Sequence, residues 1–120
     1  MPPLIILAGP TTSKKSDTAI ELAEKINSEI ISADSMQVYK YFNIGTAKAT
    51  PADRARIPHY LIDILEPDQD FSAFDFKTKA LTHTREMHSK GKVPIITGGT
   101  GLYIKVLCED SGCAVEISPE

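Results

Sequence analysis

An α/β fold, a parallel sheet with helices on both of its faces, is expected of this sequence, and three observations point to it. Leu4-Ile5-Ile6-Leu7-Ala8 and Val93 to Thr97 are short, continuous apolar runs, as strands buried on both faces should be. Between such runs lie stretches with apolar residues at helical spacing, and strands alternating with helices give a parallel sheet. The chain has 120 residues, enough to bury one core and not two.

Each element has its own signal. After the first strand, Gly9 to Ser13 is loop-like, and Ser16 to Ile26 carries Ala19, Ile20, Leu22, Ala23 and Ile26 at helical spacing. Asp17 and Glu21 lie toward the start of that helix, where carboxylates suit its dipole. Glu29 to Ala33 reads as a second short strand, and Asn43 to Thr46 as loop. Pro51 opens a short helix that ends before Pro58. His59 to Asp63 reads as a short strand, and Glu66-Pro67-Asp68 as a turn. Phe74 to Ser89 reads as a helix with Phe74, Thr78, Leu81 and Arg85 on successive turns, closed by Gly91. Leu102 to Leu107 opens another helix after the turn Gly98-Gly99-Thr100-Gly101. Glu109 to Gly112 reads as a turn. The expected organisation is therefore a core over residues 1–108, with residues 109–120 starting a region that the chain does not complete.

Composition narrows the classes of function. Hydrophobic residues at 42% and charged residues at 24% are values of a globular domain, not of a disordered one. The formal net charge is −3, without the basic balance or stripe of a stand-alone nucleic-acid binder. No run approaches the roughly 18 apolar residues of a membrane span. The apolar start is too short for a signal peptide and lacks a basic region before it, so a cytoplasmic protein without membrane attachment is expected. Cys108 and Cys113 have no second Cys or His pair beside them, which argues for reduced thiols and against zinc or a disulfide framework.

The strongest chemical signal is Gly9-Pro10-Thr11-Thr12-Ser13-Lys14-Lys15-Ser16. A phosphate-binding P-loop requires glycine, four residues, glycine, lysine and a hydroxyl residue between a strand and a helix. Backbone N–H groups then curl around an oxyanion at the helix N-terminus, the lysine adds charge, and the hydroxyl reaches magnesium. Lys14 stands where the second glycine belongs. If that position needs positive φ, a side chain there costs about 1–2 kcal/mol and impairs the loop. A need for bare backbone there would carry the same cost, and the side chain could also crowd the phosphate, although its charge attracts the same anion.

Two further constellations follow strands. Asp34, in Ser32-Ala33-Asp34-Ser35-Met36-Gln37-Val38-Tyr39, sits just past the second strand, on the sheet edge where ligands bind in open α/β folds. A carboxylate there can take a proton or hold a magnesium-bound water; it can equally cap a helix. Thr97-Gly98-Gly99-Thr100-Gly101-Leu102-Tyr103 again follows a strand and opens a helix, with the Thr100 hydroxyl at the helix start.

Taken together these blocks resemble the tRNA dimethylallyltransferases. The resemblance runs through Leu7 to Thr11, Ile31 to Tyr39, Ile44-Gly45-Thr46-Ala47-Lys48, Pro58 to Asp63, Phe71-Ser72 and Gly98 to Ile104, in the family's order. It implies a P-loop NTPase-like fold and prenyl transfer rather than phosphoryl transfer. Residues Gly9, Pro10, Thr11, Thr12, Ser13, Lys14, Lys15 and Ser16 would hold the diphosphate of dimethylallyl diphosphate, with magnesium on Ser16. Asp34 would be the general base at the exocyclic amine of an adenosine beside the tRNA anticodon. Ser35, Met36 and Gln37 would line the site of that extruded adenosine, and Thr100 would help hold substrate. The family's helical region for the anticodon arm lies beyond this chain's last residue, so a chain of this length is expected to be weak on tRNA.

Three other readings stay open at this stage. A small P-loop kinase or ATPase predicts ATP preference and a lid of basic residues, yet Arg54, Arg56 and Arg85 are scattered. A non-catalytic fragment predicts no diphosphate affinity. Prenylation of free adenine nucleotides would need no tRNA-binding region.

Overall fold

Three isoleucine pairs, Ile5-Ile6, Ile30-Ile31 and Ile95-Ile96, organise the layers, because adjacent residues of a strand face opposite sides of the sheet. The computed structural model describes residues 4–8, 13–35, 37–40, 51–98, 101–111 and 115–117. Within them the chain runs β1 (Ile5–Ala8), α1 (Ser13–Ile26), β2 (Ile30–Ser32), α2 (Pro51–Arg56), β3 (His59–Tyr60), α3 (Ala73–Ser89), β4 (Ile95–Gly98), α4 (Gly101–Ser111) and β5 (Val115–Ile117). The sheet order is β3-β2-β4-β1-β5 and every pairing is parallel. Ile6, Ile31 and Ile96 join Leu4, Phe76, Ala80, Met87, Tyr103 and Leu107 in a core on the α3/α4 side. Ile30 and Ile95 join Ala19, Ile20 and Ala23 of α1 on the other side, with Ile5 packed against them. Helices therefore cover both faces, as the apolar runs require.

The topology also places a ligand edge. The connection from β1 passes over β4 to reach β2, whereas the connection from β4 passes over β1 to reach β5. Neighbouring strands whose connections leave in opposite directions make a switch point, and the crevice outside their carboxyl ends is where open α/β sheets bind ligands.

Local chemistry explains the boundaries. α3 opens with a capping box: the Asp75 N–H donates to Ser72 Oγ at 3.1 Å and the Ser72 N–H to Asp75 Oδ2 at 2.9 Å. Gly91, at φ 74°, turns the chain out of that helix. Asn27, at φ 54°, does the same after α1, asparagine being one of the residues that enters this region at low cost.

Four elements differ from the sequence expectation. α1 starts at Ser13, one turn before Ser16, so no carboxylate falls in its first turn. The strand expected over His59 to Asp63 stops at Tyr60, because Leu61 (φ 66°) and Asp63 (φ 57°) are left-handed. The residues of α3 buried in the core are Phe76, Ala80, Thr84 and Met87, while Phe74 is 68% exposed. Finally, Glu109 to Ser111 continue α4 instead of turning, and Val115–Ile117 pair with β1 in the same sheet. Cys108 lies in the helical part of that segment, and Cys113 and Asn43 to Thr46 lie outside the described residues.

Candidate active site at the carboxyl edge of the sheet

Register brings the three candidate segments to one level. Ser32 of β2 and Leu7 of β1 are both paired with Thr97 of β4, and Ala8 with Gly98. The Ala33 N–H continues the ladder to the Thr97 carbonyl at 2.5 Å. Three exits therefore leave side by side: from Ala8 toward α1, from Ala33 into the Asp34 loop, and from Gly98 toward α4. Gly98 is required by contact. A Cβ built on it would run into the carbonyl of Ala33, and its φ of 154° is one that side-chain-bearing residues rarely adopt.

Asp34 is 8% exposed and begins a tight turn. Its Oδ1 accepts from the Gln37 N–H at 3.2 Å, the side-chain-to-backbone bond by which an aspartate shapes a turn without regular structure. Gln37 is buried as well, and its Oε1 accepts from the Ser32 hydroxyl at 3.1 Å. The far side of the loop is laced to the segment after β3. The Asp63 N–H donates to the Gln37 carbonyl at 3.0 Å, the Ile64 and Leu65 N–H groups to Val38 at 3.0 and 3.1 Å, and the Lys40 N–H to Leu65 at 2.8 Å. These bonds hold Leu61 and Asp63 in their left-handed conformations, which cost on the order of 1–3 kcal/mol each.

Tyr103 of α4 is buried in the core on the α3/α4 side. It stacks on Phe76 with centroids 4.6 Å apart, and Phe71 meets its edge at 6.2 Å. Burial first, then electrostatic interaction with Tyr39, Asp34 and Asp75, pushes its phenol above the usual value.

The P-loop candidate is described in part. Gly9, Pro10, Thr11 and Thr12 lie outside the described residues, as do Met36 and Thr100; of Ser13, Lys14, Lys15 and Ser16 the backbone is described. That backbone is helical. Position 14 thus needs no positive φ, and the strain expected of a non-glycine residue there is absent. No carboxylate stands in that first turn, and a helix N-terminus favours an anion. Among the described residues no three His, Cys, Asp or Glu gather as metal ligands, and no described helix is long and apolar enough to cross a membrane. Magnesium carried with a diphosphate needs only one or two protein oxygens. Ser16 is by residue type an oxygen donor of that kind, so the donor set fits.

Sequence reasoning quoted Ser32 and Tyr103 without giving either a role. Nothing in the linear order signals that the Ser32 hydroxyl meets Gln37, five residues on across a turn. Ser72, part of the resemblance, is engaged in capping α3.

A parallel sheet with two helix N-termini and a buried carboxylate at its switch point is the architecture of an α/β protein that binds ligand across its strand ends. The sequence profile described as IPP transferase matches residues 37–119, and the chain belongs to that family. A tRNA dimethylallyltransferase of Staphylococcus aureus (strain JH9) is 58% identical over 106 residues, covering 88% of this chain and 34% of the relative. The crystal structure of a tRNA isopentenylpyrophosphate transferase from Staphylococcus epidermidis superposes with a TM-score of 0.84 at 55% identity, over 89% of this chain and 35% of that one. The full-length enzyme of that name from Bacillus halodurans gives 0.86 at 41% identity, over 93% and 37%. The chain thus spans about a third of the length of the relatives it matches.

Proposed function

We propose that this chain supplies the catalytic core for transfer of a dimethylallyl group from dimethylallyl diphosphate to the exocyclic amine of an adenosine beside a tRNA anticodon, in the cytoplasm. The observation that carries the reading is the buried Asp34 turn, held level with the starts of α1 and α4 at the switch point. The α1 N-terminus with Lys14, Lys15 and Ser16 would take the diphosphate, together with Gly9 to Thr12. Asp34 accepts the proton of the amine as the nitrogen–carbon bond forms; the allylic carbon–oxygen bond breaks and its electron pair leaves with diphosphate. Lys15 and the helix amides stabilise that leaving charge, a preorganised electrostatic role. Magnesium, held by Ser16, would neutralise diphosphate charge when bound. Ser35, Met36, Gln37 and Thr100 would receive the adenosine, which must leave its stack to be reached.

Of the alternatives, phosphoryl transfer from ATP is not supported by the described Arg54 and Arg56: Arg54 pairs with Asp63 at 3.2 Å and Arg56 with Glu24 at 2.6 Å. Asp34→Asn tests the reading. Turnover is expected to fall by about 100-fold or more, the contribution of a general base, with affinity for dimethylallyl diphosphate unchanged. Equal loss of both would make Asp34 a metal or structural residue.

A further inference from the structure

Resting on that reading of the carboxyl edge, we infer that Leu61 is a positioning residue for Asp34, acting through the turn that it starts. In β3, Tyr60 pairs with Ile31 and packs against the core on the α3/α4 side. In a continued strand the next side chain would face the opposite side of the sheet. Leu61 instead enters the same core, 3% exposed, because its φ of 66° breaks the alternation. Leucine takes up left-handed backbone at a cost, and burial of its side chain offsets that cost. Burial therefore fixes where the chain turns. The residues after the turn reach the Asp34 loop. The Asp63 N–H donates to the Gln37 carbonyl at 3.0 Å, and the Ile64 and Leu65 N–H groups to the Val38 carbonyl at 3.0 and 3.1 Å. The Lys40 N–H returns a bond to the Leu65 carbonyl at 2.8 Å. Gln37 is also the residue whose N–H meets Asp34 Oδ1 at 3.2 Å. A side chain in the core thus holds the turn of the carboxylate at the strand ends, without touching substrate.

The first measurement uses the parent chain and needs no variant. Native-state hydrogen exchange, followed by NMR, compares the backbone N–H groups of Gln37, Lys40, Asp63, Ile64 and Leu65. They are expected to open as one unit, with the same response to low urea. A Gln37 N–H that opens independently of the rest overturns the inference. Two variants of similar volume then separate backbone from packing. Leu61→Ile carries a β-branched side chain, which tolerates left-handed backbone worst, whereas Leu61→Met is unbranched. Exchange of the Gln37 N–H is expected to speed about tenfold in Leu61→Ile, the equilibrium equivalent of added left-handed strain, and to stay near the parent in Leu61→Met. Turnover per folded molecule, with dimethylallyl diphosphate and an anticodon-arm hairpin, is expected to fall about tenfold in Leu61→Ile with KM for the diphosphate unchanged, the mark of a misplaced base. A merely structural Leu61 would lower the melting temperature in Leu61→Ile and leave exchange and turnover of the folded molecule at parent values, which overturns the inference. If Leu61→Ile does not fold, the parent exchange measurement decides. A parent chain without turnover overturns the transferase reading of the site, and the Leu61 role with it. A parent with turnover that Leu61→Ile leaves intact overturns the Leu61 role alone.

Discussion

The two edges of the sheet solve opposite problems. At the amino edge, the chain neutralises its own charge. Glu29, just before β2, accepts from Lys92 Nζ at 2.7 Å and from the Tyr60 hydroxyl at 2.7 Å, and Tyr60 stacks on His83 at 4.3 Å. The Ser28 hydroxyl adds a bond to the Val93 carbonyl at 2.5 Å. At the carboxyl edge, two helices begin, the first turn of α1 carries Lys14 and Lys15, and Asp34 is held by short local bonds. One edge contributes stability from partners within the chain; the other gathers the residues proposed to meet an anionic ligand. Substitutions at the amino edge should therefore move unfolding and leave diphosphate binding alone.

Gly98→Ala gives the largest expected effect and breaks the separation, because Gly98 serves both fold and site. The new methyl group collides with the Ala33 backbone, and backbone cannot yield as a flexible side chain does; destabilisation above about 3 kcal/mol is expected by urea unfolding. Lys92→Met comes next. It leaves Glu29, buried at 6% exposure, with Tyr60 alone, at a cost of about 2–3 kcal/mol given that Lys92 is partly solvated, and unchanged diphosphate affinity by titration. Ser72→Ala, which removes the cap of α3, should cost about 1 kcal/mol with binding again unchanged.

The amino edge also sets a pH dependence. Burial alone would raise the Glu29 carboxyl, but the hydrogen bonds from Lys92 and Tyr60 outweigh it and hold it below its ordinary value of 4.5. A depressed carboxyl stabilises the fold above its unfolded value, and that stability is lost as pH falls through the folded one. Tyr60, pushed up to about 12 by burial and by Glu29, acts at the other end. Its contribution is complete below its unfolded value near 10 and is lost as pH rises toward 12. Melting temperature against pH should thus fall on both limbs, and Glu29→Gln should flatten the acid one.

The sheet was legible because paired isoleucines such as Ile30-Ile31 make sense only where both faces are buried. The burial face of α3 was not. Phe76 and Met87 pack there with Ala80 and Thr84 between them, and the two small residues break the stripe, while Phe74 marks the wrong side. The end of β3 was hidden for a similar reason: leucine is a poor residue for left-handed backbone, so Leu61 reads as strand until the bonds from Asp63, Ile64 and Leu65 to the neighbouring loop are known. At the site, Asp34 could be placed from sequence, since a carboxylate after a buried strand lands on the ligand edge. The contacts of Ser32 and Tyr103 run across a turn and between helices, which spacing does not encode.

The most direct measurement is calorimetric titration of the folded chain with dimethylallyl diphosphate and, in parallel, with ATP, each with magnesium. Tighter binding of the prenyl diphosphate, retained in Lys92→Met and Asp34→Asn, is the result expected if the carboxyl edge is the anion site and Lys14 leaves the loop competent. Preference for ATP would contradict prenyl transfer in favour of phosphoryl transfer, and binding of neither would contradict the assignment of that edge to a diphosphate at all.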